Sequence, residues 1–267
     1  MNRRQFALCA AGLALAPPGL AVSAPGPVLE KALGGRQRTA ANRARDPFRH
    51  PAATLAFWGL SPGMTVIEVE PGGGYWAEIL IPYLSATRGR YVAALGDEDG
   101  GFKARFADQA LWGPVETTAF SPLSGALVTR GTAELIITAR NFHNWMWRPG
   151  LAAKYLADFH AALKPHGLLG VEEHRADPRP MAENATDGYV ATAYLVRKVQ
   201  LAGFNLEASS EINANPKDDK DHPFGVWTLP PTRRTHARGK PTPADFDPAK
   251  YEAIGESDRM TLRFRSI

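Results

Sequence analysis

The chain has 267 residues, of which 44% are hydrophobic and 22% are charged, and its formal net charge is +4. These values are typical of a globular protein and exclude a collagen-like repeat and a wholly disordered chain. A single cysteine in a chain of this length also excludes a disulfide-dense miniprotein.

The N-terminus has the pattern of an export signal. Arg3 and Arg4 precede an uncharged run over residues 7–16, and small residues continue to Ala24. This order predicts a signal peptide over residues 1–24, and the arginine pair resembles a twin-arginine signal, so we expect a periplasmic or otherwise exported protein. A cytosolic protein with a basic N-terminus is the alternative. No later apolar run is long enough to predict stable membrane insertion, and no basic stripe favours nucleic acid.

The rest of the chain predicts two parts. Residues 25–62 form an N-terminal helical arm in which Asp46 caps a helix that Pro47 begins. Residues 63–267 alternate short apolar strands with helices, which predicts a doubly wound, mostly parallel α/β sheet of seven strands. A polar, Pro-rich insert near 213–250 separates the last two strands, so we expect the last strand to be antiparallel at one end of the sheet. The strands are predicted at residues 64–69, 90–95, 115–120, 133–139, 168–173, 204–212 and 259–264, and the longer helices at 102–111, 150–163 and 186–201.

A glycine bend, Gly72-Gly73-Gly74, follows the first predicted strand. Ligands of such sheets bind at the carboxyl ends of the strands, and glycines let a ligand lie against the main chain. The stretch matches the G-x-G-x-x-A pattern through Ala77, which allows an NAD(P)-dependent oxidoreductase. Glu68, an acid at the end of the strand before the bend, favours S-adenosylmethionine instead.

Five short motifs carry a resemblance to a known family. They lie, in order, at residues 45–51, 60–66, 68–74, 162–169 and 201–204. In sequence and spacing they resemble the class I, seven-stranded, Rossmann-like S-adenosylmethionine-dependent methyltransferases. Within that family the chain is similar to a bacterial group with a signal peptide and a P-G-G-G-Y/W cofactor motif. The resemblance covers residues 43–267.

The resemblance implies S-adenosylmethionine as the cofactor and a small molecule as the methyl acceptor. The residues that it implies for binding the cofactor are Glu68, Glu70, Gly72, Gly73, Gly74, Tyr75 and, at the end of the second strand, Asp97. Glu70 departs from the family pattern, which has glycine there. A carboxylate at that position either repels the methionine carboxylate or points away from it.

Catalytic candidates follow the fourth strand, where members of the family face the transferred methyl group. His143 is able to accept a proton near neutral pH, and Asn141 and Asn144 are able to orient an acceptor. Phe142, Trp145 and Trp147 are candidates for an apolar wall of the acceptor pocket. The alternative is that these residues only cap the loop and fill the core.

Three further features leave alternatives open. Glu172, Glu173 and His174 match no strong metal-ligand spacing, so no metal site is predicted and we expect a solvated strand end. Residues 45–50 form either a polar lid over the cofactor or a set of helix caps and surface pairs, and residues 215–232 form either a substrate lid or a disordered loop. A non-catalytic ligand-binding protein is the second functional hypothesis, because of Glu70 and because the cofactor is made in the cytosol.

Overall fold

The computed structural model describes residues 26–96, 100–181 and 184–267. The predicted signal peptide and Asp97 lie outside these residues. The helices in the described part are α1 (Pro27–Leu33), α2 (Ala40–Arg43), α3 (Asp46–Arg49), α4 (Pro51–Phe57), α5 (Ala77–Ala86), α6 (Gly100–Arg105), α7 (Gln109–Trp112), α8 (Phe142–Trp145), α9 (Leu151–Ala162), α10 (Thr192–Leu201) and α11 (Pro248–Ile254). The strands are β1 (Thr65–Val69), β2 (Arg90–Leu95), β3 (Glu116–Ala119), β4 (Ala133–Ala139), β5 (Leu163–Ala176), β6 (Val190–Ala191), β7 (Phe204–Ser210), β8 (Pro223–Val226) and β9 (Arg259–Ser266).

The sheet confirms the predicted class and the antiparallel last strand. Its order is β3-β2-β1-β4-β5-β9-β7, and the two-residue β6 pairs with β5 as an eighth strand. Strand β9 is antiparallel to β5 and to β7, between which it lies. The antiparallel pair of last strands therefore lies at one end of the sheet, as predicted, with β7 at the edge and β9 inside it. Helix α10 leads to β7, which lies one strand away from β5 in the sheet. Strand β9 occupies the position between β5 and β7, and its Leu262 and Phe264 are fully buried.

Helices cover the sheet on both faces, because the side chains of a strand alternate between its two sides. In β1, Ile67 and Val69 pack into one apolar cluster together with residues of α9 and α10. Val66 faces the opposite cluster, with residues of α1, α4 and α5. Burial on both sides explains why β1 reads as a continuous apolar run.

The N-terminal arm is helical, but Asp46 has a different role from the predicted one. Asp46 lies in the first turn of α3, after the N-cap residue Arg45, and its side chain makes no cap hydrogen bond. Its carboxylate instead accepts two hydrogen bonds of 2.7 Å from the guanidinium of Arg38, whose side chain is fully buried. A buried charge requires such a partner, and this requirement outweighs helix capping.

Two predicted helices are shorter than their patterns indicated. The predicted helix over 102–111 is interrupted, because the Asp108 side chain accepts hydrogen bonds from the main chain at Ala110 and Leu111 and begins α7. The predicted helix over 186–201 begins at Thr192, because residues 190–191 pair with β5 instead. No helix in the described ranges combines the length and the apolar character that a membrane crossing requires.

Candidate functional site

The glycine bend leaves main chain exposed at the carboxyl end of β1. Gly72 and Gly74 have φ angles of 52° and 71°, a region that favours glycine. A Cβ built on Gly73 meets no heavy atom within 4 Å, whereas one on Gly74 lies 2.8 Å from the ring of Phe106. The bend is therefore open above Gly73 and packed against the protein at Gly74.

A cavity of about 200 Å³ lies beside this bend. Its walls come from the carboxyl ends of β1, β4 and β5, from the N-terminal arm and from the Pro-rich insert. The residues that line it are Arg45, Arg49, Glu68, Val69, Glu70, Pro71, Gly72, Gly73, Tyr75, Trp76, Ala139, Arg140, Asn141, His143, Asn144, His174, Val226, Trp227, Pro230, Pro231 and Thr232. The cavity thus brings together eight of the predicted site residues, which are Glu68, Glu70, Gly72, Gly73, Tyr75, Asn141, His143 and Asn144.

Glu68 is a buried acid in the cavity wall. Its side chain accepts a hydrogen bond of 2.6 Å from the Tyr91 hydroxyl, and the residue is 2% exposed. Burial raises the pKa of Glu68 to about 8, and the hydrogen bond from Tyr91 and the charge of Arg49 offset part of this shift. Glu68 is therefore mostly protonated at neutral pH.

The structure accounts for Glu70, the departure from the family pattern. Its φ angle is 46°, so this position adopts the left-handed conformation for which glycine is the usual residue. The carboxylate accepts a hydrogen bond of 2.8 Å from Nε1 of the buried Trp145. This bond holds the carboxylate toward the end of β4.

Tyr75 connects the bend to the N-terminal arm. Its hydroxyl donates a hydrogen bond of 2.7 Å to Asp46, and the Arg49 guanidinium lies 4.5 Å from the centre of its ring. Burial raises the pKa of Tyr75, and the hydrogen bond to Asp46 acts in the same direction, so the phenol stays neutral. The neighbouring Trp76 is buried in the core.

His143 is held by a carboxylate that the sequence analysis placed elsewhere. Its Nδ1 lies 2.9 Å from Oε1 of Glu173, and its main-chain N–H donates to Oε2 at 3.1 Å. In a neutral ring, a hydrogen bond from Nδ1 to a carboxylate oxygen leaves the lone pair on Nε2. The expected solvated strand end is wrong, because β5 continues to Ala176 and Glu173 is fully buried.

A second imidazole lies beside the first. The His174 ring is centred 5.2 Å from that of His143, and its Nδ1 lies 2.5 Å from the Ser257 hydroxyl. Burial holds the pKa of His174 well below its usual value, and a charge on His143 or Arg140 would lower it further. His174 is therefore a neutral ring in the cavity wall.

Two groups of side chains have the spacing of metal ligands. His143, Glu173 and His174 form one group, and the second is Asp218, Asp219 and His222. In the first group, the Glu173 carboxylate already accepts the ring proton of His143 and two main-chain N–H groups. A metal ion there would compete with these three hydrogen bonds.

The other acceptor-side candidates separate into wall and core. Asn141 donates to the carbonyl of Val69 at 2.9 Å, so it ties the end of β4 to the end of β1 while it lines the cavity. Asn144 lines the cavity and is exposed. The proposed aromatic wall is wrong, because Phe142 and Trp145 are buried in the core and Trp147 is half exposed. The apolar wall comes from the insert, residues 226–232.

An arginine cluster forms part of the cavity wall, and it shares a carboxylate, Glu256, that was not among the predicted site residues. Glu256 accepts from Nε of Arg45 at 2.6 Å, from Nε of Arg49 at 2.9 Å and from Nη1 of Arg259 at 2.9 Å. Burial opposes ionisation of Glu256, but Arg49, Arg259 and Arg140 outweigh it and lower the pKa to about 2. Arg45 and Arg49 of the proposed lid therefore lie on the cavity wall.

No protein-family model and no curated protein matches the sequence. The structure is similar to that of a SAM dependent methyltransferase from Aquifex aeolicus, with 21% identity over 64% of this chain and 87% of that chain and a TM-score of 0.52. It is also similar to the [4+2]-cyclase SpnF, with 16% identity over 90% of this chain and 92% of that chain and a TM-score of 0.54. A third similar structure is CrArsM, an arsenic (III) S-adenosylmethionine methyltransferase from Chlamydomonas reinhardtii, with 13% identity over 91% and 74% of the two chains and a TM-score of 0.50.

These likenesses define the fold. The chain has the Rossmann-like sheet of the S-adenosylmethionine-dependent methyltransferases. The same fold also serves a protein described as a cyclase. Since one fold carries several reactions, the activity must be argued from the residues of the cavity.

Proposed function

We propose that this protein is an S-adenosylmethionine-dependent methyltransferase that acts on a small molecule. The observation that carries the proposal is that the bare main chain at Gly73 and the side chain of His143 open onto one cavity. The first offers a surface for the cofactor, and the second offers a base for the acceptor. The position of this cavity at the carboxyl ends of β1 and β4 supports the same assignment.

The residues beside the bend fit the cofactor. Glu68, Gly72, Gly73 and Tyr75 would hold it, because they line the cavity where the main chain is uncovered. Glu70 does not obstruct that surface, since its carboxylate is bonded to Trp145. When bound, the cofactor supplies a methyl group on a sulfonium, whose leaving group is already activated.

The chain itself has two tasks, which are alignment and proton removal. Alignment of two reactants contributes roughly 7–11 kcal/mol to a lowered barrier, and a general base adds about 10²–10⁴-fold. His143 takes at Nε2 the proton that the acceptor hydroxyl or amine loses, and Glu173 stabilises the imidazolium that results. Asn144, on the same wall, orients the acceptor.

Replacement of Gly73 with aspartate tests the cofactor surface. A Cβ at Gly73 meets no heavy atom, so we expect unchanged folding. The added carboxylate occupies the uncovered surface, so we expect loss of binding of S-adenosylhomocysteine in calorimetry. Gly125→Asp is the matched control, because Gly125 is exposed and equally unobstructed but lies away from the cavity. Unchanged affinity in the folded Gly73→Asp protein would reject this site.

A non-catalytic ligand-binding protein is the second candidate, and the acid at Glu70 is the observation that favours it. Glu70 lines the same cavity as the proposed cofactor surface, at a position where the family pattern has glycine. Mass spectrometry of the purified protein distinguishes the two. A methylated product that accumulates with added cofactor supports the enzyme, and a different bound molecule supports the binding protein.

We further propose export through residues 1–24, and the arginine pair supports the twin-arginine route. That route carries folded proteins, so the cofactor is able to leave the cytosol already bound. An exported enzyme would then stop after one turnover without a further supply. Cell fractionation with and without Arg3→Lys and Arg4→Lys tests the route, and unchanged localisation in the double variant would contradict it.

A further inference from the structure

The arginine cluster presents N–H groups that the described residues leave without partners. Nη2 of Arg45, Nη2 of Arg49 and Nε of Arg140 are buried atoms with no hydrogen-bond acceptor in the described part of the chain. All three residues line the cavity. The side chain of Arg49 is 1% exposed, so solvent does not compensate it. Buried N–H groups of this kind are costly unless an acceptor binds them.

The Glu256 carboxylate does not supply acceptors for these unpaired N–H groups. Glu256 already accepts from Arg45, Arg49 and Arg259. Burial lowers the pKa of Arg49 to about 9, and the charge of Arg140 acts in the same direction. The repulsion between Arg49 and Arg140 is the effect expected where several arginines share few anions.

The cluster spans the cavity: Arg49 packs against Tyr75 beside the proposed cofactor surface, and Arg140 lies at the end of β4. Glu68 and Glu70 flank the glycine bend, so the bend side of the cavity carries the acids. Arg140 follows β4 and is three residues before His143, and both residues line the cavity that would hold the anion. Val226, Trp227 and Pro230 supply an apolar surface in the same cavity for the rest of such a molecule.

We propose that Arg45, Arg49 and Arg140 form a carboxylate-binding site and that the methyl acceptor is a carboxylic acid with an apolar body. The identification of this acid as the methyl acceptor rests on the proposed function, but the anion site itself does not. The guanidinium groups donate charge-assisted hydrogen bonds to the carboxylate, and these bonds orient the acceptor against His143. A carboxylate could also come from the amino-acid end of the cofactor, and the experiment separates the two sources.

The test uses benzoate as the probe and neutral benzamide as its isosteric control, with calorimetry on the full chain with and without S-adenosylhomocysteine. We expect benzoate to bind at least about tenfold more tightly than benzamide. Arg140→Gln should weaken benzoate by about tenfold or more and leave S-adenosylhomocysteine within about twofold. Arg130→Gln, at an exposed arginine outside the cavity, is the matched control and should change neither affinity.

Three results would contradict the anion site, and one would contradict only the methyltransferase function. Equal affinity for benzoate and benzamide, or unchanged benzoate binding in Arg140→Gln, overturns the site. Loss of S-adenosylhomocysteine binding with benzoate unaffected overturns it as well, because the arginines would then hold the cofactor carboxylate. If the wild type binds benzoate selectively but does not bind S-adenosylhomocysteine, the anion site stands and the proposed methyltransferase function fails. Arg45→Gln provides a second variant in case Arg140→Gln does not fold.

Discussion

Replacement of Glu68 with glutamine tests the buried acid beside the glycine bend. Glutamine has the same shape and still accepts the hydrogen bond from Tyr91, but it does not ionise. The variant therefore removes one proton equilibrium and leaves the packing in place. Any difference in pH dependence between the two proteins then reports the ionisation of Glu68.

The sign and size follow from the pKa of Glu68, which burial raises from an ordinary value of 4.5 to about 8. Between these two values the unfolded chain loses the proton while the folded protein keeps it. The free energy of unfolding of the wild type therefore falls as pH rises, relative to the variant, by about 1.4 kcal/mol per pH unit. The penalty is absent below pH 4.5 and constant above pH 8.

Urea denaturation of both proteins at several pH values between 5 and 9 measures this slope. Glu116→Gln is the control, because Glu116 is half exposed in an ion pair with Arg90 that lowers its pKa. Glu116 is ionised in both the folded and the unfolded protein above pH 6. The difference in free energy of unfolding between Glu116→Gln and the wild type should therefore not change with pH in that range. If the Glu68→Gln difference is also flat between pH 5 and 8, Glu68 ionises normally and our account of its burial is wrong.

Three further predictions concern packing, polar satisfaction and ligand binding. Gly170→Ala places a Cβ 2.5 Å from the ring of Trp58 and should destabilise the protein by about 1–3 kcal/mol in thermal unfolding, whereas Gly101→Ala, which meets no atom, should not. Glu173→Ala leaves three buried N–H groups without their acceptor and should cost about 3 kcal/mol in urea denaturation; a cost below about 1 kcal/mol would contradict the pairing with His143. A cationic ligand beside Glu68 favours its ionised form, so the affinity for S-adenosylmethionine should rise from pH 6 to 8, and calorimetry that shows a constant affinity would refute that contact.

The elements around the bend were predictable because local signals specify them. The apolar run that becomes β1 is bounded by turn residues, and Gly72 and Gly74 of the bend occur where the backbone adopts positive φ. The repeated order of strand and helix then predicts a parallel sheet, which places the ends of β1 and β4 together. His143 reached the cavity for this reason.

The missed features depend on contacts between distant parts of the chain. Glu173 meets His143 because β4 and β5 are parallel neighbours in a register that pairs Ala139 with Glu172. That register was available as a signal, since adjacent parallel strands bring their ends together. No local signal predicts that β9 inserts between β5 and β7, because its position depends on the space that those two strands leave. No local signal predicts that three arginines share Glu256 either, because these residues are distant in the sequence.

The placement of β9 has a consequence for how the protein is made. β5 and β7 do not pair with each other, so β7 joins the sheet only after the ribosome has synthesised the connection over 211–258 and then β9. Glu256 and Ser257 emerge immediately before that strand and are positioned by it. The completed sheet and the arginine wall that Glu256 holds therefore depend on the same late-emerging part of the chain.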